Sequence, residues 1–316
     1  MADYKTIASG PDLRLNDAGE EISLEQGDPS PIKLYVDEME ENPFLFARDH
    51  WHDTVQFSIV IKGSVDFCVG DGFHRLVKGE GIMINSNVLH HMQSSRPGGS
   101  ATFSVQMSPT AISGGNHFAL HAKYVAPVVA NGGFPCIAFK RDSAWTRRVL
   151  RLMHEIMAAT IAKETGYELA VKNSLLSIWL TLIQNNPDIL DAREQSKGID
   201  DKRVKQMLEY IHAEYRERVV LSAIAASANI SEGECCRCFR RFLKTTPFQY
   251  LMRYRTEMAA KMLTNTELPI GAIAYKTGFS DVSYFHRVFK KNAGMTPRRY
   301  RELYYGNEAT ELFSNA

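Results

Sequence analysis

Two groups of residues have types and spacings that could do chemistry. The first is His50-x-His52-x-x-x-Gln56, with His90 further along the chain. Imidazoles and an amide can hold a metal ion, hydrogen-bond a small ligand, or satisfy one another inside a core. On an extended strand, residues two apart share a face. His50, His52 and Gln56 then fall on one side, and Val55, Phe57, Ile59 and Ile61 on the other. Trp51 has the opposite parity to the histidines. The second group is Cys235-Cys236-Arg237-Cys238, followed by Arg240 and Arg241. Crowded cysteines on one helix do not easily surround a tetrahedral ion, and no second cysteine pair stands at zinc spacing. Cys235 and Cys238 read as small core residues. Cys236, beside Arg237 and Arg240 near a helix start, has surroundings that favour a thiolate.

The elements that must hold these groups are readable from punctuation and period. Short β-prone runs (Val55–Ile61, Val65–Val69, Gly81–Asn85, Thr102–Gln106) alternate with turn residues such as Gly70-Asp71-Gly72 and Gly98-Gly99. That rhythm predicts an antiparallel sandwich or barrel. The period then becomes helical: Val149, Leu152, Met153, Ile156 and Met157 recur at steps of three and four. A second helix over Tyr167–Asn185 carries Leu169, Leu175, Leu176, Trp179, Leu182 and Ile183. With a turn near Gly166, an antiparallel hairpin is expected over 142–186, with more apolar positions than one face needs. The expected organisation is an arm at 1–29, a β-rich unit at 30–186, a polar linker at 187–200, a helical unit at 201–305 and a tail at 306–316.

The net charge of +1 conceals an asymmetry. Residues 201–305 hold 19 Lys and Arg against 10 Asp and Glu, an excess of nine positive charges that the rest of the 316-residue chain offsets. A basic segment of this kind is a hint of nucleic-acid binding. The same segment contains a repeat. Ile224-Ala225 … Asn229-Ile230-Ser231 lies over Ile273-Ala274 … Gly278-Phe279-Ser280, and Arg237-x-Phe239 … Thr246-Pro247 lies over Arg287-x-Phe289 … Thr296-Pro297. Each copy has the grammar of a helix-turn-helix. Ser222 is expected to cap the first helix of copy one, Asn229 to end it in a left-handed conformation, and Ser231 with Glu234 to form a capping box on the second. In copy two Pro269 opens the first helix, Gly278 closes it and Ser280 caps the next. Second helices are expected near 232–243 and 281–291, with a connecting helix near 247–264.

The outer faces of those second helices carry donors. Cys236, Arg237, Ser283, Tyr284 and Arg287 are the candidate base contacts, with Arg237 and Arg287 at matched positions. Arg can bind guanine O6 and N7, worth roughly 1–3 kcal/mol of discrimination per good pair. Arg240, Arg241, Lys244, Lys290, Lys291, Arg298 and Arg299 are the candidate phosphate contacts, which position without reading sequence.

Residues 201–303 resemble the DNA-binding domain of AraC/XylS-type transcription regulators, most specifically through GFSDVSYFHRVFKKNAGMTPRRYR at 278–301. The resemblance implies two helix-turn-helix units on one connecting helix, entering successive major grooves. Lys244 stands where the second copy has Gly294, so a different cap is expected there, and Gly233 weakens the first recognition helix by up to about 1 kcal/mol. The histidine pair, Gly63, Gly79-Glu80-Gly81 and His90 look like the half-motifs of a cupin barrel, the sensor fold of many such regulators. Enzymatic cupins bind metal through two His, a Glu and a later His. Gln56 takes the Glu position here and is a poorer ligand. A bound metal, hydrogen-bonded lining histidines and a small-molecule pocket all stay open, and the pocket is the favoured reading: His50, Trp51, His52, Gln56 and His90 are the candidate effector contacts, with no metal and no cofactor.

The fold expected is therefore α+β and multidomain: a cupin-like antiparallel β-barrel with a helical hairpin, then an all-α double helix-turn-helix. The function expected is a sequence-specific DNA-binding regulator responsive to a small effector. Two alternatives are a metal-dependent cupin enzyme fused to DNA-binding helices and a regulator that senses no ligand. Expected partners are double-stranded DNA, a small-molecule effector, a second copy of the chain and RNA polymerase. Composition excludes a disordered or fibrous chain. No apolar stretch is long enough to span a membrane, and the N-terminus lacks the basic-then-apolar order of a secretory signal. Five cysteines, three of them crowded together, fit a reducing cytoplasm better than a disulfide scaffold.

Overall fold

In the computed structural model the described residues are 7, 31–39, 49–95, 99–114, 119–191 and 197–305. The arm expected at 1–29 (Ile7 aside), the Gly98 half of one turn and the tail at 306–316 lie outside them. The chain divides into two compact units, with the division between Asp201 and Lys202.

Among the described residues the first unit has eight strands: β1 (Ile32–Met39), β2 (Val55–Lys62), β3 (Ser64–Val69), β4 (Gly72–Val77), β5 (Gly81–Ile84), β6 (His90–Ser94), β7 (Ser100–Met107) and β8 (Cys136–Phe139). They form a five-stranded sheet in the order β1-β7-β2-β5-β8 and a three-stranded sheet in the order β4-β3-β6. All the pairings are antiparallel. Three short helices, α1 (Pro109–Ser113), α2 (Ala119–Tyr124) and α3 (Ala126–Val129), connect β7 to β8. None of these helices was legible beforehand, since each is too short to show a period.

Alternation assigns the two faces of β2. Val55, Phe57 and Ile59 join Phe103, Val105 and the hairpin helices α4 (Ala144–Ala162) and α5 (Tyr167–Asn185) in one core. On the opposite face Val60, with Ile82 and Ile84, packs on Val65, Phe67, Val69 and Leu76 of the three-stranded sheet. The five-stranded sheet is thus covered on both sides, which is why β2 and β7 are buried nearly end to end. The hairpin runs as its period predicts, but Leu169 and Leu176 of α5 are solvent-exposed rather than core. The stretch read as a linker is structured at both ends. Pro187–Leu190 forms a 3-10 turn whose Ile189 is buried in the first unit's core, and α6 (Lys197–Glu214) begins before Asp200.

The second unit continues with α7 (Leu221–Ser227), α8 (Glu232–Phe242), α9 (Pro247–Asn265), α10 (Ile270–Lys276), α11 (Val282–Ala293) and α12 (Pro297–Tyr304). Its boundaries fall within two residues of those expected, and the caps explain the differences. Ser231 accepts from the Glu234 N–H at 3.2 Å, but Glu234 turns to Arg237 rather than back to Ser231, so the box is half made. Ser222 lies inside α7, whose N-cap is Val220. Asp281, not Ser280, caps α11, its carboxylate accepting from the Tyr284 N–H. Counting from cap to cap, Ser231 to Asp281, the repeat offset is 50 throughout the second helices.

Asn229 and Gly278 adopt left-handed conformations at φ 53° and 83° as expected. Lys244 does so too, at φ 51°, against 72° for Gly294. The backbones turn alike, but the helix ends are capped differently, as expected: the C-cap of α8 is Leu243, and Lys244 donates from Nζ to the Arg241 carbonyl at 2.7 Å, which Gly294 cannot do. A residue with a β-carbon in that region costs about 1 kcal/mol. Lys244→Gly should raise the unfolding free energy by up to about 1 kcal/mol, read as a higher urea midpoint at unchanged slope.

Candidate nucleic-acid interface and barrel site

In α8, Cys235, Cys238, Phe239 and Phe242 are buried. Arg237, Arg240 and Arg241 are exposed, while Cys236 is half-buried rather than exposed as expected. In α11, Phe285 and Phe289 are buried, and Ser283, Tyr284, Arg287, Lys290 and Lys291 are exposed. Lys244, Arg298 and Arg299 are exposed as well. One stripe of each helix therefore anchors it and the other projects cationic and polar side chains, as amphipathic spacing requires.

The matched arginines differ in their surroundings. Arg237 donates from Nε to Glu234 at 2.9 Å, an exposed pair one helical turn apart. Arg287 lies over the Tyr284 ring, 5.2 Å from its centroid. Arg298 donates to Glu302 at 3.1 Å. Burial, with Cys236 and Cys238 nearby, pushes the Cys235 thiol up to about 12, so this cysteine is an inert core residue.

The connecting helix supplies a contact that periodicity did not reveal. Arg255 of α9 is buried and donates from Nε to the Tyr215 carbonyl and from Nη2 to the Glu217 carbonyl, both at 2.7 Å. Gly278 closes against the same place. A β-carbon there would sit 2.4 Å from the Tyr215 oxygen and 2.8 Å from Arg255 Nε. The turn of the second unit is thus fitted to the end of α6, and only glycine fits.

The barrel site is assembled differently from the strand-parity reading. β2 begins at Val55, and bends at Asp53 and Thr54 separate it from the histidines. His50 instead pairs with His90 in an isolated antiparallel bridge, exchanging backbone hydrogen bonds at 3.0 and 2.9 Å. His50, His52 and His90 are nonetheless brought together, all buried. The His50 and His90 ring centroids are 4.2 Å apart, and those of His52 and His90 5.0 Å. Gln56 joins them by its Oε1, 3.0 Å from His52 Nε2. Trp51 is buried beside them in sequence.

Gln56 also starts a buried polar row that the sequence reading missed. Its Nε2 donates to Ser58 Oγ at 2.9 Å, Ser58 meets Ser104 at 2.9 Å, and Ser104 donates to Asp37 at 3.1 Å. The available signal was alternation: polar Gln56 and Ser58 between Val55, Phe57 and Ile59, and polar Thr102, Ser104 and Gln106 around Phe103 and Val105. Burial, with His50 and His52 adjacent, pushes the His90 pKa well below the ordinary histidine value, so the ring is neutral.

Next to this cluster, Asp49 accepts from His91 Nδ1 at 2.7 Å. Burial opposes charge on His91, but the Asp49 carboxylate outweighs it, with Cys68 contributing, and carries the pKa to about 10. The pair ties the His50 segment to the His90 segment from the neighbouring residues. Its stabilisation is complete below the ordinary histidine value of 6.5 and is lost as pH rises through about 10. Asp49→Asn should therefore destabilise the first unit by about 3 kcal/mol near pH 6, with the deficit shrinking above pH 10, measured by urea unfolding across pH.

Comparison with known proteins gives the same division. Residues 224–303 match the family model of a helix-turn-helix domain, and residues 40–178 match that of the AraC-like ligand binding domain. A Bacillus subtilis protein described as an HTH-type transcriptional regulator, YdeC, is 30% identical over 278 residues, covering 86% of this chain and 92% of that one. The chain belongs to the AraC family. This AraC-type regulator is also 23% identical to the melibiose operon regulatory protein of Escherichia coli, covering 87% of this chain and 91% of that one. A crystal structure of ToxT from Vibrio cholerae aligns over 87% of this chain and 99% of that chain at 12% identity, with a TM-score of 0.42. The protein is thus a DNA-binding transcription regulator whose N-terminal half is of the family's ligand-binding type. Among the described residues, no helix is long and apolar enough to cross a membrane.

Proposed function

We propose that this regulator reads DNA chiefly through α11, with α8 as the less stringent partner. The observation that carries this is the repeat-matched pair Arg237 and Arg287, each on the exposed stripe of a capped amphipathic helix. Cys236, Arg237, Ser283, Tyr284 and Arg287 face base edges in this reading. Arg240, Arg241, Lys244, Lys290, Lys291, Arg298 and Arg299 meet phosphate. Two features support the inequality of the units: Gly233 offers no side chain, and Arg237 is held by Glu234 whereas Arg287 is braced on an aromatic ring. Arg287→Ala should weaken cognate binding by about 1–3 kcal/mol and relax specificity. Lys290→Ala should weaken cognate and random duplexes alike and reduce the salt slope by about one. Fluorescence anisotropy on both duplexes over a salt series checks this, and equal losses on both duplexes for Arg287→Ala would remove the assignment.

The barrel is the effector unit in this reading, a non-enzymatic sensor, with His50, Trp51, His52, Gln56 and His90 as contacts. The protein works in the cytoplasm on chromosomal DNA and meets RNA polymerase there. The domain limits read from the sequence, 30–186 and 201–305, serve as its working parts. It acts as a homodimer through α5, a reading supported by Leu169, Leu176 and Leu180, which are 74%, 39% and 54% exposed and spaced on one face. Such an apolar stripe on a surface helix marks a partner. Leu176→Glu with Leu180→Glu should shift the protein to monomer in sedimentation equilibrium while its far-ultraviolet spectrum stays unchanged; a dimer that persists would move the interface elsewhere.

A further inference from the structure

The first unit carries a cationic stripe that neither its core nor its own acids use. Residues 140–151 hold Lys140, Arg141, Arg147, Arg148 and Arg151 against one acid, Asp142, while the other residues of 31–200 hold 11 Lys and Arg against 16 Asp and Glu. All five cations are exposed. Arg147, Arg148 and Arg151 belong to the first half of α4, where Val149, Leu150, Met153 and Ile156 are buried. Burial of that apolar stripe fixes which way the arginines face. Residues three and four apart adjoin on a helix, so Arg151 lies beside both Arg147 and Arg148, and like charges so placed repel. The start of a helix also favours anions over cations, yet α4 has no acid in its first turn. Arg147 donates from Nη1 to the Arg141 carbonyl at 3.0 Å. Arg148 and Arg151 have no hydrogen-bond or ion-pair partner among the described residues, whereas Arg237 and Arg298 each have a glutamate about one turn away. Cations gathered against two local rules call for an anion from outside the unit.

We propose that this stripe is a second, sequence-independent DNA contact, in which Lys140, Arg141, Arg147, Arg148 and Arg151 hold the phosphate backbone of duplex flanking the operator. Charge complementarity selects the occupant. The chain already binds a duplex through its other unit, so flanking phosphates are offered at high effective concentration with no further partner needed. Guanidinium forks match phosphate oxygens, and arginines side by side along one helix suit a strand whose charges repeat. The exposed residues of 140–151 are the five cations, Asp142 and Ala144. Amide side chains of the kind that read adenine are absent from them, as fits a contact that positions without reading sequence. Phosphate would also relieve the repulsion among the arginines and complement the helix start. The inference needs only that the chain binds a duplex, not which residues of α8 and α11 read its bases.

The test uses the full-length protein and two duplexes, one holding the operator alone and one with two further helical turns of random sequence, about 20 bp, on each side. The unaltered protein should bind the long duplex more tightly, with a log–log salt slope steeper by about 2–3 than on the short one. The triple variant Arg147→Ala, Arg148→Ala, Arg151→Ala, verified as folded by circular dichroism, should bind the long duplex about tenfold more weakly at low salt, lose the extra slope and match the unaltered protein on the short duplex. Effects of the duplex ends are common to both proteins and cancel in that comparison. Should the triple variant fail to fold, Lys140→Ala with Arg151→Ala takes its place, with about half the loss of slope. Arg287→Ala should weaken binding to both duplexes and leave their ratio intact, so failure of the base-reading assignment and failure of this one are separate results. Equal affinity of the unaltered protein for both duplexes, a flank gain that survives in the triple variant, or an equal loss on both duplexes would each overturn the proposal. So would unchanged DNA binding with weakened binding to purified RNA polymerase, which would assign the stripe to a protein partner.

Discussion

The DNA-binding unit depends on one buried guanidinium. Arg255 reaches from the connecting helix α9 to the carbonyls that end α6 and follow it, Tyr215 and Glu217, and lies 6.0 Å from the Phe279 ring centroid. Those carbonyls have no helical partner of their own, so a cation with a planar fork of donors satisfies both at once. Gly278 must then pass close to the Tyr215 oxygen, which only a residue without a β-carbon allows. The start of copy one, the connecting helix and the turn of copy two are thereby locked in register. The direction in which α11 projects Arg287 follows from that lock.

The barrel rests on a different constraint. Its five-stranded sheet is covered on both faces, so every residue of β2 before Ile61 is buried, polar ones included. A buried hydroxyl or amide without a partner costs about 1–3 kcal/mol, and the row from Gln56 through Ser58 and Ser104 to Asp37 meets that requirement by pairing each group with the next. Among the described residues, His90 Nε2 is the buried side-chain polar atom left without a hydrogen-bond partner.

The two units also differ in how their surfaces are used. The helical unit exposes charge on stripes set by period, which suits a polyanion whose contacts are repeated and largely sequence-independent. The first unit exposes leucines on α5 although the hairpin's other face is fully packed.

Much of the helical unit was legible because its determinants are local. Caps, left-handed turn residues and a period near 3.6 act over four residues or fewer, so α8, α9 and α11, their buried faces and the matched arginines followed from the sequence. One error there was local too: Asp281 outcompeted Ser280 as a cap because it stands directly before the first helical residue. The histidine pair was visible, but strand parity did not bring His50 and His52 to Gln56; bends at Asp53 and Thr54 intervene. What brings them to His90 is a bridge between segments 40 residues apart. The Ser104 contact to Asp37 spans 67 residues, and that of Arg255 to Tyr215 spans 40. Sequence alone determined which residues carry chemistry and which helix faces they occupy. Tertiary structure decided which of them meet, because strand register and helix docking are set by packing between segments that no local rule connects.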